Sequence, residues 1–101
     1  MHSMHSVIAI DRLQALESEL RSAGLTALYL FGSHARGAGT AASDVDLLFE
    51  AEGARSLSLI DQARLQRELS EALGKRVDLL ERSALRPAVR RMAASDMLRI
   101  F

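Results

Sequence analysis

Residues 28–49 read LYLFGSHARGAGTAASDVDLLF, and no other stretch restricts so much what the chain can become. An apolar run meets Gly32-Ser33, a loop of small residues follows, and then Asp44 and Asp46 stand two apart in a second apolar run. Side chains two apart on a strand share a face. Two carboxylates on one face of an otherwise apolar strand are costly to bury unless a cation neutralises them. The stretch therefore predicts two strands flanking a turn, with a divalent metal held by the aspartates beside a turn that grips phosphate.

The rest of the chain sets limits on that reading. Its 101 residues suit a single domain, 1–101, with a core of its own. Hydrophobic residues make up 49% and charged residues 26%, an ordinary globular balance. A formal net charge of zero supplies no global field for nucleic acid and argues against direct nucleic-acid binding. The absence of cysteine excludes disulfides and thiolate metal sites. No apolar run approaches the ~20 residues of a membrane span, and MHSMHSVIAI lacks the basic start and long apolar core of a signal peptide. The expectation is a soluble cytoplasmic protein with no membrane partner.

Along the chain, residues 1–6 are expected to be disordered. Ala9, Leu13, Leu16 and Leu20 then recur at helical steps and predict a helix over 7–23, capped by Ser6 and stopped by Gly24. Residues 26–31 read as a short strand buried on both faces, and 44–49 as a second strand. Ser58, Asp61 and Gly74 bracket a helix over 59–73 whose buried face carries Leu65, Leu69 and Leu73, with Ala72 beside them. A third strand over 77–80 carries Asp78. Leu85, Val89 and Met92 suggest a last short helix, with Pro87 tolerable only in its first turn. The tail MLRIF suits either an edge strand or a segment docked in a groove. Helices alternating with three short strands imply an α/β or α+β sheet with helices packed against it.

On strand two Asp44 and Asp46 face away from Val45 and Leu47, and on strand three Asp78 alternates with Val77 and Leu79 in the same way. If those strands are neighbours, three carboxylates converge. Mg2+ takes oxygen ligands, commonly a few carboxylates plus substrate phosphates. Two such ions about 4 Å apart stabilise the attacking and leaving oxygens of phosphoryl-type transfer. Gly32 lets backbone approach a ligand closely, and Ser33 offers a hydroxyl and an amide to an anion. Bland readings stand beside these: Asp78 could merely pair with Lys75 or Arg76, Arg36 could touch a triphosphate or form a structural ion pair, and Ser43 could simply start the strand. Arg82, Arg86, Arg90 and Arg91 read by default as a solvated face.

Gly32-Ser33-His34-Ala35-Arg36-Gly37 followed by Ser43-Asp44-Val45-Asp46-Leu47 resembles the signature of the DNA polymerase β-type nucleotidyltransferase superfamily. The short chain, Val77-Asp78-Leu79-Leu80 and Ala84-Leu85-Arg86-Pro87 narrow the resemblance to minimal nucleotidyltransferase (MNT) domains, the antitoxins of HEPN ribonuclease toxins. That resemblance implies a minimal nucleotidyltransferase fold, a short mixed β-sheet with helices against it. It implies that Asp44 and Asp46 bind two Mg2+ ions, that Asp78 completes the catalytic metal site, and that Gly32 and Ser33, with Arg36, hold ATP. It also implies transfer of AMP to a tyrosine of a HEPN-type toxin, which is thereby silenced. His34 has no assigned role in this reading. The alternatives are a non-catalytic antitoxin that acts by covering the toxin, and a small-molecule nucleotidyltransferase.

Overall fold

A computed structural model describes residues 4–32, 34, 35, 37, 40, 44–52 and 57–101, with only the backbone path for 92–95. Its elements are α1 (Met4–Ala15), α2 (Glu17–Ser22), β1 (Leu25–Phe31), β2 (Val45–Ala51), α3 (Leu59–Leu73), β3 (Val77–Glu81), α4 (Pro87–Asp96) and β4 (Leu98–Arg99). A 3-10 turn, Arg82–Ala84, joins β3 to the segment before α4.

The four strands form one mixed sheet in the order β3-β2-β1-β4. β1 runs antiparallel to both β2 and β4, whereas β2 and β3 are parallel. Period-two alternation then sorts the side chains. Leu28, Leu30, Val45, Leu47, Phe49, Val77 and Leu79 share one face and join Leu13, Leu20, Leu65, Leu69 and Leu73 of the helices in the main core. A smaller cluster of Ala27, Tyr29 and Leu48, with Phe31, Leu85 and Met97 against it, occupies the other face. β1 is thus buried on both faces, as its composition implied.

The helices follow their punctuation unevenly. α3 begins where Ser58 Oγ accepts the Asp61 amide at 3.1 Å, and ends at Gly74 in the left-handed conformation, φ 65°. Leu65, Leu69 and Leu73 are buried as expected, but Ala72 is exposed. The expected single helix over 7–23 is instead two helices. The Leu16 amide bonds the Leu13 carbonyl, tightening the chain between α1 and α2 although no glycine or proline marks the break. α1 also starts earlier than expected, so Met4, His5 and Ser6 are helical and Ser6 is a buried helix residue rather than a cap.

Near the C-terminus Pro87 occupies the first turn of α4, the position where its missing amide does no harm. Leu85 lies outside that helix and Val89 is exposed, so the Leu85–Val89–Met92 stripe does not form a buried helix face. The tail realises both alternatives: Leu98 and Arg99 pair with β1, and Ile100 and Phe101 enter the main core.

Three side chains of α3, one turn apart, serve the free edge of β3. Gln62 Nε2 donates to the Leu79 carbonyl at 2.9 Å, Gln66 Oε1 accepts the Leu79 amide at 2.9 Å, and Ser70 Oγ accepts the Val77 amide at 3.1 Å. Edge-strand amides and carbonyls need such partners. The bonds also pin the register of the strand that carries Asp78. Among the described residues, no helix is long and apolar enough to cross a membrane.

Candidate active site

Parallel pairing sets Val45 beside Val77 and Leu47 beside Leu79 on the buried face, which brings Asp46 beside Asp78 on the other. Asp44 stands just before β2 and is exposed, while Asp46 and Asp78 are half-buried. Strand register thus sets two of the three expected carboxylates, Asp46 and Asp78, side by side, and the apolar residues flanking them enforce it. Burial raises the Asp46 carboxyl above its ordinary value; Asp78 and then Asp44 push it further up, and His34 partly offsets them. Among the described residues no lysine or arginine pairs with any of the three. Lys75, one bland candidate for Asp78, donates instead to the Thr40 carbonyl at 3.2 Å.

The turn lies against this group because Phe31, the last residue of β1, faces Asp46 across the ladder. Gly32 follows with φ 78°, a conformation that L side chains avoid. A Cβ placed there would stand 2.6 Å from Asp46 Oδ2, closer than any real contact. Glycine is needed at 32 for two reasons, and one of them is the aspartate itself. Ser33 and Arg36, the other two residues expected to bind nucleotide, lie outside the described residues, as does Ser43.

His34 is the functional surprise. It is fully buried, and its Nδ1 meets Ser6 Oγ at 3.1 Å. The sequence reading assigns His34 no role, and no local signal reveals that α1 would supply its partner. Of the four C-terminal arginines, Arg82 turns inward: Nη1 bonds Glu50 Oε1 at 2.8 Å and its guanidinium lies 5.0 Å from the Tyr29 ring centroid. Arg86, Arg90 and Arg91 are exposed, in keeping with a solvated face. A groove of about 500 Å3 lined by Thr26, Glu50, Glu81, Arg82 and Arg90 sits toward the far end of β2, and none of the three aspartates lines it.

The donor set suits a hard divalent cation: carboxylate oxygens, mutually repelling and, among the described residues, paired with no lysine or arginine. Among the described residues, no three histidine or acidic side chains are already closed around a metal position. Like charges with no cation between them have reason to stand apart.

Three comparisons bear on this geometry. A family model described as a nucleotidyltransferase domain matches residues 13–100. A Methanocaldococcus jannaschii protein, provisionally named a protein adenylyltransferase, is 41% identical over 68 residues, spanning 66% of this chain and 70% of that one. A solved structure provisionally described as a minimal nucleotidyltransferase has a TM-score of 0.76 at 32% identity, covering 97% of this chain and 95% of its own. The same fold appears, at TM-score 0.70 and 21% identity, in a complex of the tri-AMPylated Shewanella oneidensis HEPN toxin with its MNT antitoxin, covering 97% of this chain and 72% of the matched one. The family match runs from α1 through β4 and so takes in the glycine turn and every aspartate of the site, and the chain belongs to the nucleotidyltransferase domain family as a minimal nucleotidyltransferase.

Proposed function

We propose that the chain transfers AMP from ATP to a tyrosine of a HEPN-type ribonuclease toxin and so acts as its antitoxin. The observation that carries this reading is the carboxylate group: Asp46 abuts Gly32, faces Asp78 in register and, among the described residues, pairs with no lysine or arginine. Asp44, Asp46 and Asp78 would hold Mg2+. Bound there, Mg2+ would neutralise the phosphates and stabilise charge on the attacking and leaving oxygens.

The chain's own residues would orient and hold. Gly32 leaves backbone free to approach the β- and γ-phosphates, and Ser33 and Arg36 would bond their oxygens. Asp78, fixed by the α3 bonds to β3, would face the α-phosphate from the neighbouring strand. The tyrosine oxygen forms a bond to the α-phosphorus, the bond to the bridging oxygen breaks, pyrophosphate leaves, and the phenolic proton passes to solvent. Asp44 is exposed and its two partners are half-buried, so an acceptor on a second protein can reach them. The relatives support this choice of acceptor: one is named for protein adenylylation, and another was solved beside an AMPylated toxin.

Intact-mass measurement of the co-expressed partner after incubation with ATP and Mg2+ tests the proposal. The wild type should add AMP, and an Asp44→Asn/Asp46→Asn double variant should not. A partner that stays unmodified yet loses RNase activity when bound would favour neutralisation by covering alone. AMP appearing only on small acceptors would move the activity away from proteins.

A further inference from the structure

We infer that His34 is a positioning residue for this site, held by Ser6 so that the Gly32 turn keeps its place against Asp46; the inference rests on the nucleotidyltransferase reading. Among the described residues between Phe31 and Val45, His34 alone is fully withdrawn from solvent. Its sequence neighbours are mostly glycine and alanine, which bury little area and fix little by themselves. Among the segment's described residues the imidazole is therefore the buried anchor.

Burying an imidazole and a hydroxyl is unfavourable unless both are hydrogen-bonded. Ser6 Oγ and His34 Nδ1 satisfy each other at 3.1 Å across 28 positions of sequence, and no buried side-chain nitrogen or oxygen lacks a partner among the described residues. The Gly37 amide donates to the His34 carbonyl at 3.2 Å and closes the turn behind the ring. Two residues before His34, Gly32 has no room for a Cβ beside Asp46 Oδ2. Hydrogen bonding thus ties α1 to His34, and two residues earlier in the chain Gly32 packs against the aspartate. Loosening the first contact should shift the phosphate-gripping turn without removing any group that touches nucleotide.

Three variants of the full chain test this. Ser6→Ala removes the hydroxyl at a helical position where alanine is favoured. His34→Leu removes the ring nitrogen, and His34→Asn keeps an amide near the position of Nδ1. The readouts are titration calorimetry with AMP-PNP and Mg2+, thermal melting, and hydrogen exchange at the Gly37 amide. Ser6→Ala and His34→Leu should bind nucleotide roughly three- to tenfold more weakly, the size of one net hydrogen bond. Gly37 should exchange faster in both, and His34→Asn should recover most of the affinity. Variants that melt lower yet bind nucleotide like the wild type would overturn the inference and leave His34 a core residue only. If the wild type itself binds no nucleotide, the transferase reading falls and Gly37 exchange decides: faster exchange in Ser6→Ala upholds the positioning, unchanged exchange overturns it.

Discussion

Asp46 and Glu50 lie on the same strand and the same face, four residues apart with Leu48 between them, yet they are provided for in opposite ways. The Glu50 carboxylate accepts from Arg82 at 2.8 Å and from the Tyr29 hydroxyl at 3.4 Å, and Arg82 in turn covers the Tyr29 ring. The Asp46 carboxylate has Asp78 across the ladder and Asp44 two residues earlier, with no arginine or lysine on any of the three among the described residues. Glu50 belongs to a closed set of charges that the fold supplies for itself. Asp46 belongs to a set that stays open among the described residues, the set proposed above to take Mg2+. The difference separates a carboxylate that builds structure from one that, on the proposed function, takes a metal ion.

Asp46→Asn tests the contrast most severely. The amide keeps the size of the carboxylate and loses its charge. AMP transfer should fall by about a hundredfold to a thousandfold, the scale seen when one electrostatic contact to a developing charge is removed. Melting temperature should hold or rise, because a raised carboxyl marks a charge that the fold disfavours. A variant that lost stability but kept transfer would exchange the roles of the two residues. Gly32→Ala comes next. Its methyl group would need the space of Asp46 Oδ2 in a backbone conformation of φ 78°, and the strain should lower stability by ~1–3 kcal/mol in denaturant titration. Gly74→Ala, at φ 65° with nothing within 4 Å, should lose only about 1 kcal/mol or less.

The legibility of the chain follows the same division between local and distant causes. The bounds of α3 and its leucine stripe, though not the exposure of Ala72, were readable because cap, stripe and stop are all local. The aspartates were readable because alternation fixes their face, and Asp78 needed only the assumption that β2 and β3 are neighbours. What escaped depends on partners far away in sequence. The break at Leu16 carries no breaker residue, and Ser6 and His34 explain each other only once α1 lies against the turn. Arg82 is one arginine of four in sequence, and β2 and β1 alone decide that it turns toward Glu50 and Tyr29.

The open charge set also predicts a pH and cation dependence. The Asp46 carboxyl titrates higher in the fold than its ordinary value of 3.8, so between those values the folded chain binds more protons than the unfolded one. Stability from this group is therefore present at low pH, declines as pH rises from about 3.8 through the folded value, and stays absent at neutral pH. Mg2+ at neutral pH should return it, adding about 1.4 kcal/mol at ten times its dissociation constant. Below the folded value the gain should shrink, and in Asp46→Asn it should nearly vanish. Calorimetric melting with and without Mg2+ at two pH values reads all three. A gain from Mg2+ that is unchanged in Asp46→Asn would place the cation elsewhere.

Glu50→Gln is the smallest expected change and the complement of the first. Both partners of the pair are part-exposed, with side-chain accessibilities of 31% for Arg82 and 41% for Glu50, so solvent already screens much of the attraction. Exposed pairs contribute about 0–1 kcal/mol, and glutamine still offers an oxygen to Arg82 and to the Tyr29 hydroxyl. Melting temperature should drop slightly, and the drop should narrow in 1 M salt, where the Debye length is about 3 Å. AMP transfer should be unchanged, because nothing at this end of β2 reaches the aspartates. If transfer instead fell more than tenfold, the groove beside Arg82 would have to take part in binding substrate or partner, and the strand would carry one long site rather than a structural end and a chemical one.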